Sequence, residues 1–372
     1  MKSPIFDWHH NAGAKLADFG GWDMPIEYPK GAIDGFSGGV LAEHAAVRER
    51  VGLFDVSHLG KISVQGEGAL EFLNTMITND LLRITSGSAQ YNLLCDASGG
   101  VIDDLIVYQK SDTDFFLIPN AANCADVFSV LHKNAPAGIT VVNVHEGYGV
   151  FAVQGPLSTK VMESLGLSLD LDYMQFTEVE IPGHADLGKV IVCRTGYTGE
   201  FGYELLPVWS SALELWELLV KEIAAHDGRV CGLGSRDTLR TEMGYPLHGH
   251  ELSREISPMQ ANSGWAVALA KPYFEGSAAL VLEKSTGVSR IMRGLLVSDR
   301  GIPRAGMNVL GSEDQQLGTI TSGTFSPTLK TGIALGLISP TIKIGDEVTI
   351  DVRGRKSTAT VVKLPFVPSH VR

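Results

Sequence analysis

A repeated order of strands and helices constrains the fold of this chain most. Between residues 61 and 132, the residue pattern predicts the order β-α-β-β-β-α. The same order returns between residues 149 and 226, which indicates a duplicated α+β unit. The predicted elements are 61–64, 69–76, 90–95, 101–108, 114–118 and 121–132 in the first half, and 149–153, 157–165, 176–181, 189–194, 202–206 and 212–226 in the second.

The last part of the chain has a different pattern. A helix is predicted at 234–243, with Ser235 as its N-cap. After about residue 286 the helical periodicity fades, and short β-rich runs follow that glycine and proline punctuate. This pattern predicts a small all-β domain, either a barrel or a sandwich. The predicted strands are 294–297, 316–321, 334–337, 347–350 and 359–363.

Composition excludes several classes of function. The net charge of −12 argues against sequence-independent binding of nucleic acid, which needs a basic surface. The four cysteines match no zinc or iron–sulfur spacing and predict buried free thiols. The first residues lack the apolar run of a signal peptide, and no segment approaches the ~20 apolar residues of a membrane span. We therefore expect a soluble cytoplasmic protein that binds neither nucleic acid nor membrane.

Two adjacent carboxylates lie inside a predicted strand, in the stretch DASGGVIDDLIVY (96–108). Side chains alternate along a strand, so Asp103 and Asp104 point to opposite faces, and both faces are otherwise apolar. An unpaired charge in such surroundings costs several kcal/mol, so each carboxylate needs a partner. Either one caps the Gly-Gly turn while the other meets solvent, or one faces a pocket and meets a ligand cation or N–H group.

A third carboxylate, Glu204, follows a glycine-rich turn in RTGYTGEFGYELL (194–206). Glycines at 196, 199 and 202 make a tight turn where backbone can approach a ligand closely. Glu204 then lies in an apolar strand. A carboxylate accepts two parallel hydrogen bonds, so it suits a heterocycle with adjacent N–H groups. On pattern alone, an ordinary hairpin with Glu204 exposed at a sheet edge is favoured.

Two further motifs invite a ligand interpretation. The stretch GLGSRD (232–237) imitates the start of a dinucleotide fingerprint, but it lacks the last glycine and the βαβ context, so nucleotide binding is rejected. Arg236 near the helix start suits an anion, or else forms a salt bridge to Asp237 or Glu242. In HGHE (248–251) no third metal ligand can be nominated, so structural histidines are favoured over a metal site.

Together these stretches resemble one family, the T-protein of the glycine cleavage system. The similarity spans nearly the whole chain, and the order and spacing of the pieces are specific. Leu59 stands where some members have Met, and Val371 replaces an aromatic residue of some relatives. The matching pieces are FGGWDMPIEY (19–28), GLFDVSHLGKI (52–62), GGVIDDLIVY (99–108), VQGP (153–156), RTGYTGEFGYEL (194–205), GLGSRDTLRTEMGYPLHGHEL (232–252), ISPMQANSGW (256–265), GTITSGTFSP (318–327) and PFVP (365–368).

The resemblance implies a fold that agrees with the repeated order. It is an α+β fold in which a duplicated folate-binding region is followed by a C-terminal antiparallel β-barrel, in a three-lobed cloverleaf. The folate-binding region is expected to span 1–285, with one lobe at roughly 52–145 and the other formed by 1–51 with 146–250. The barrel is expected to span 286–372.

The resemblance also implies the site. Asp104 is similar to the family's catalytic carboxylate, and Glu204 to the group that binds the amino and ring N–H edge of the pteridine. Tyr91 and Trp265 offer flat faces for the rings of folate. The other positions at which the resemblance implies folate contacts are Asn120, Tyr197 and Arg236. No metal and no nucleotide is expected.

The implied activity is that of a tetrahydrofolate-dependent aminomethyltransferase. Its substrate is an aminomethyl group on the lipoyl arm of a small carrier, the H-protein, and its products include ammonia. One alternative is a related folate-dependent demethylase. A second alternative is a non-catalytic folate-binding protein of iron–sulfur assembly, which the hairpin TGYTGEFGYE (195–204) disfavours because it lacks the Cys-containing element of that branch.

Overall fold

The chain opens with a short helix and a hairpin that precede the repeated units. The computed structural model describes residues 1–31, 33 and 38–372, so that 32 and 34–37 of the predicted segment 1–51 lie outside the described residues. The first elements are α1 (Phe6–Asn11), β1 (Lys15–Phe19), β2 (Trp22–Glu27), α2 (Gly39–Glu49) and β3 (Gly52–Asp55).

The first repeated unit forms a five-stranded sheet with the order β5-β6-β7-β4-β8. Its two helices pack on one face, where Phe72, Leu73, Val127 and Leu131 contact apolar residues of the strands. The unit consists of β4 (Ile62–Gln65), α3 (Ala69–Met76), β5 (Ser88–Cys95), β6 (Val101–Ser111), β7 (Asp114–Pro119), α4 (Cys124–Asn134) and β8 (Thr140–Asn143).

The second unit forms a six-stranded sheet with the order β10-β11-β12-β9-β3-β13. Its helices cover one face through residues that include Val161, Leu215 and Trp216. The unit consists of β9 (Phe151–Gln154), α5 (Ser158–Ser164), β10 (Phe176–Glu180), β11 (Lys189–Cys193), β12 (Gly202–Leu206), α6 (Ala212–Ala225) and β13 (Arg229–Cys231).

The two sheets repeat one topology. Strands β5, β6, β7 and β4 of the first occupy the same positions as β10, β11, β12 and β9 of the second, which confirms the predicted duplication. Strand β3, which the expected lobe boundary at residue 52 places with the first unit, pairs instead with β9 and β13 of the second. Neither of its partners is close in sequence, so local pattern could not reveal this pairing.

The uncovered faces of the two sheets pack against each other. Tyr108 and Phe116 from the first sheet share a core with Ile191, Cys193 and Leu206 from the second. Helices therefore lie outside, and the sheets form the two inner layers. This packing brings the ends of β6 and β12 to a common region, which becomes important for the site.

The remaining residues form two helices and a closed barrel. The barrel order is β14-β17-β16-β15-β18-β19, and all of its strand pairs are antiparallel, which confirms the predicted fold class and selects the barrel over the sandwich. The elements are α7 (Leu233–Met243), α8 (Ser277–Thr286), β14 (Ile291–Val297), β15 (Asn308–Leu310), β16 (Gln316–Ser326), β17 (Thr331–Ile338), β18 (Glu347–Val352) and β19 (Arg355–Val362).

Helix α7 starts differently from the prediction. It begins at Leu233 after Gly232, and the Ser235 hydroxyl donates to the Gly232 carbonyl at 2.8 Å instead of capping the helix. The Gly232 N–H is bound by the Glu43 carboxylate at 2.9 Å. The prediction of a Ser235 cap is therefore wrong. The carboxylate of Glu43 in α2, distant in sequence, accepts the backbone N–H at the start of the helix instead.

No helix among the described residues is long and apolar enough to cross a membrane. All four cysteines are buried and free, as the sequence predicts.

Replacing Gly100 by Ala tests the turn that leads into strand β6. A Cβ at this position would lie 1.9 Å from the Arg254 carbonyl oxygen, while the next residue, Val101, donates its N–H to the Ser253 carbonyl at 2.8 Å. We expect Gly100→Ala to lower the free energy of unfolding by about 1–3 kcal/mol, the usual cost of overpacking. Chemical denaturation measures this. Gly147→Ala, where the nearest atom is 3.7 Å away, is the control and should change stability by less than about 0.5 kcal/mol. Equal effects of the two substitutions would contradict the close packing of Gly100 against the Arg254 carbonyl.

Candidate active site

A cavity of about 670 Å³ lies where the two sheets, the end of α7 and the barrel meet. Its size is in the usual range for small-molecule sites. The structure brings all seven predicted site residues to its wall, although they are spread over more than 170 positions of the sequence. They are Tyr91, Asp104, Asn120, Tyr197, Glu204, Arg236 and Trp265.

Asp103 faces away from the cavity and is fully buried. It accepts hydrogen bonds from the Asn120 backbone N–H at 2.8 Å, the Asn120 side-chain amide at 2.9 Å and the Asn123 amide at 2.7 Å. Three donors satisfy most of what a buried carboxylate requires. Asp103 therefore fixes the connection between β7 and α4 to the first residues of β6.

Asp104 points the other way and lines the cavity. It accepts hydrogen bonds from the Tyr91 hydroxyl at 3.0 Å and from the Asn120 amide at 2.8 Å. The interpretation in which one aspartate caps the turn is wrong, because Asp96 accepts the Ser98 N–H there at 2.9 Å. Of the two open interpretations, the structure has the one in which a single carboxylate faces a pocket.

The environment of Asp104 raises the pKa of its carboxyl above the ordinary value. The main cause is burial, which disfavours the charged form; the hydrogen bond from Tyr91, the charge of His248 and the bond from Asn120 oppose it. Burial and the neighbouring Asp104 charge also raise the pKa of Asp103. A carboxylate whose pKa is raised accepts a proton more readily, as a group that exchanges protons with a substrate requires.

Glu204 lies in β12, a central strand between β11 and β9, with only 9% of its surface exposed. The Thr195 hydroxyl donates to one of its oxygens at 2.5 Å, and both residues line the cavity. The interpretation of Glu204 as an exposed residue at a sheet edge is therefore wrong. Its other oxygen lone pairs remain available to donors in the cavity.

Arg236 is a cation on the cavity wall that lacks a carboxylate partner within the described part of the chain. The two predicted salt bridges are wrong, because Asp237 pairs with Arg240 at 2.7 Å and Glu242 pairs with Arg48 at 2.9 Å. The guanidinium lies 4.7 Å from the ring centroid of Tyr197, and its Nη1 is buried without a hydrogen-bond partner. Such a cation suits an anionic or carbonyl group of a ligand.

Aromatic rings form a further part of the wall. Tyr91 and Trp265 stack with 5.2 Å between centroids and 25° between planes. Trp265 remains 68% exposed, so one of its faces is open. The Tyr197 hydroxyl donates to the Pro246 carbonyl, which holds its ring in place below Arg236. Flat apolar surfaces beside carboxylates suit a planar heterocycle with N–H groups.

Two histidines of the cavity were not predicted as site residues. His58 lies in the motif GLFDVSHLGKI, and its Nδ1 is buried without a partner in the described structure. Burial and the charge of Arg236 lower the pKa of His58 to about 3, so its ring is neutral. His248 donates from Nε2 to the Val101 carbonyl at 3.0 Å, and His250 bonds to Thr321 on the barrel at 2.8 Å. The HGHE motif drew attention to His248 and His250 in the sequence, but no sequence pattern indicated that His248 lies close to Asp104.

Among the described residues, no group of three His, Cys, Asp or Glu side chains is placed to hold a metal ion.

Comparison with known proteins gives consistent matches. The family described as the GCVT N-terminal domain matches residues 5–271, and the glycine cleavage T-protein C-terminal barrel domain matches 290–368. The chain is 54% identical over 371 residues to an aminomethyltransferase of Parafrankia sp. (strain EAN1pec), covering 100% of this chain and 99% of the relative. It is 52% identical over 374 residues to that of Mycobacterium tuberculosis (strain ATCC 25618 / H37Rv), covering 100% and 98%.

A solved structure agrees with these matches. The crystal structure of glycine cleavage system aminomethyltransferase T from Bartonella henselae matches with a TM-score of 0.90 at 33% identity, covering 100% of this chain and 99% of the other. The duplicated α+β fold, the barrel and the matched relatives together define an aminomethyltransferase. More particularly, the chain belongs to the glycine cleavage T-protein family. The prediction from the sequence motifs is thereby confirmed.

Proposed function

We propose that this enzyme moves the methylene carbon of an aminomethyl group, carried on the lipoyl arm of the H-protein, to tetrahydrofolate with release of ammonia. The observation that carries the proposal is the meeting of Asp104 and Glu204 at one cavity, beside the stacked rings of Tyr91 and Trp265. The cytoplasmic location predicted from the sequence is kept as part of this proposal.

The wall of the cavity fits a folate in shape and in donor chemistry. A pterin is a flat heterocycle with adjacent N–H groups, and Glu204 offers a buried carboxylate that accepts such groups in parallel. The stacked rings of Tyr91 and Trp265 provide an apolar platform, and Arg236 provides a cation for a carbonyl or anionic group. Tetrahydrofolate supplies the nitrogen nucleophiles of the reaction.

Asp104 supplies charge and a proton acceptor. Its carboxylate stabilises positive charge that develops near the transferred carbon, and such stabilisation is strong in a site that excludes water. Its raised pKa lets it take a proton released during the transfer. Tyr91 and Asn120 hold its two oxygens in place, so little reorganisation is required when charge develops.

Asp104→Asn tests the catalytic role. The amide keeps the size of the side chain but carries no charge and cannot act as a base. We expect turnover to fall by about 10²- to 10⁴-fold, the usual worth of a positioned acid or base. The measurement is ammonia release from aminomethylated carrier with tetrahydrofolate, together with identification of the folate product.

Asp103→Asn is the matched control, since Asp103 is buried on the opposite face of the strand and does not line the cavity. It should act mainly on stability. A turnover of Asp104→Asn within twofold of the parent enzyme would contradict the role. A methyl-folate product, in place of methylene-folate, would favour the demethylase alternative.

Glu204→Gln tests recognition of the pteridine. Replacing a charged acceptor by a neutral one removes about 1.5–3 kcal/mol of hydrogen bonding. We therefore expect the Kd for tetrahydrofolate to rise roughly 10- to 100-fold, as measured by calorimetry. Glu180→Gln, on an exposed part of β10 in the same sheet, should leave the Kd unchanged. Unaltered binding by Glu204→Gln would count against the pteridine role.

The distribution of charge supports a site for the carrier. Residues 286–372 hold 11 Lys and Arg against 6 Asp and Glu, a net charge of +5, whereas residues 1–285 have a net charge of −17. The barrel side of the cavity is lined by Arg293 and Lys363, together with Ile344, which is 60% exposed. We propose that an acidic face of the carrier docks on this basic rim, so that its lipoyl arm reaches Asp104.

Lys363→Glu tests this docking site. Reversing a rim charge slows the association of oppositely charged partners. We expect the KM for the carrier to rise several-fold and to depend less on salt, while the KM for tetrahydrofolate changes little. Lys330→Glu, an exposed barrel residue that does not line the cavity, is the control. If both substitutions raised the KM for the carrier equally, only the net charge of the barrel would matter and the site would be wrong.

A further inference from the structure

The last residues of the chain connect the barrel to the hairpin that carries Glu204. We define them as the strap, residues 364–372, which follow strand β19. Leu364 and Pro365 line the cavity. The Phe366 N–H then donates to the Glu242 carbonyl near the end of α7, at 2.8 Å. From there the strap continues to the outer side of the hairpin formed by residues 194–204.

Three hydrogen bonds fasten the strap to the hairpin. The His370 N–H donates to the Gly199 carbonyl at 2.7 Å, and the His370 ring bonds through Nδ1 to the Glu200 carboxylate at 3.0 Å. The Arg194 guanidinium donates to the Val371 carbonyl at 2.6 Å. The tip of the hairpin and the end of its first strand are therefore held from one side.

Glu200 is the buried centre of this attachment. Its side chain is 3% exposed, whereas that of His370 is 63% exposed. Its other oxygen accepts from Arg48 at 2.8 Å, and the same guanidinium nitrogen donates to the Thr198 carbonyl at 2.7 Å. A buried carboxylate needs such partners to offset its loss of hydration. His370 thus supplies, from the surface, one of the partners of a buried charge.

The opposite side of the same hairpin faces the cavity through Thr195, Tyr197 and Glu204. The tip has no free space beneath it, because a Cβ on Gly199 would lie 2.2 Å from the Met243 sulfur, and Met243 itself lines the cavity. The strap therefore contacts one side of the tip, and Met243 of the cavity wall packs against the other. A shift of the tip would therefore change the position of the residues that face the ligand.

We propose that the strap is a positioning element for the Thr195–Glu204 hairpin and that the contact between His370 and Glu200 is its latch. The ligand positioned by this hairpin, a folate, rests on the function proposed above; the mechanical role of the latch does not. His370 and Glu200 do not line the cavity, so both act on the ligand through the hairpin.

The test compares His370→Ala with His370→Asn in the full chain. Hydrogen exchange of the amides of residues 195–204 reports the order of the hairpin without a ligand. We expect at least fivefold faster exchange in His370→Ala, and partial rescue in His370→Asn, whose amide can still donate to Glu200. Calorimetry should show a three- to tenfold higher Kd for tetrahydrofolate in His370→Ala, with kcat within about twofold of the parent.

Two further variants make the test specific. His10→Ala, which removes another exposed histidine, should alter neither the exchange of the hairpin nor the Kd. In a Glu200→Ala background, His370→Ala should add less than twofold to either effect, because the side chain that His370 binds is already absent.

Unchanged exchange in His370→Ala, or an equal effect with and without Glu200, would overturn the proposal. Faster exchange in a protein whose parent form does not bind tetrahydrofolate would support the latch and reject the proposed function instead.

Discussion

The site depends on the way in which one amide separates two adjacent carboxylates. Asn120 donates to Asp103 through its backbone and its side chain, and the same side chain donates to Asp104. Strand geometry sends the two aspartates to opposite faces, and the Asn120 side-chain amide donates to one oxygen of each. Asp103 thereby becomes part of the framework, whereas Asp104 is left facing the cavity with a raised pKa. Without Asn120, the buried carboxylates of Asp103 and Asp104 would have too few hydrogen-bond donors.

The remaining wall of the cavity is assembled from parts that are distant in the chain. The packing of the two sheets places Glu204 near Asp104, and the loop after α7 brings His248 to the first unit through the Val101 carbonyl. The barrel closes the third side. Each part has its own core, so the cavity can lie at their common boundary without weakening any one of them.

Local sequence pattern was enough to predict most of the helices and strands and to single out the two carboxylates, Asp104 and Glu204, that line the cavity. The helix at 69–76 and the strand at 202–206 have the predicted ends, and the repeated order appears in both sheets. The resemblance supplied a set of residues that the structure brings to one cavity. Several predictions failed because they depend on partners distant in sequence. The burial of Glu204 between β11 and β9, the pairing of Glu242 with Arg48 and the binding of Glu43 at the start of α7 all involve such partners, which periodicity cannot report.

The repeated topology has a consequence for the positions of Asp104 and Glu204. Asp104 lies on β6, whose counterpart in the second sheet is β11, but Glu204 lies on β12, the counterpart of β7. Two identical units packed face to face would present every functional group twice, in symmetric positions. Joining the units in one polypeptide removes that symmetry, so the two halves can present different side chains to one cavity. The asymmetry of that cavity is thus a property that a symmetric pair of separate subunits could not encode.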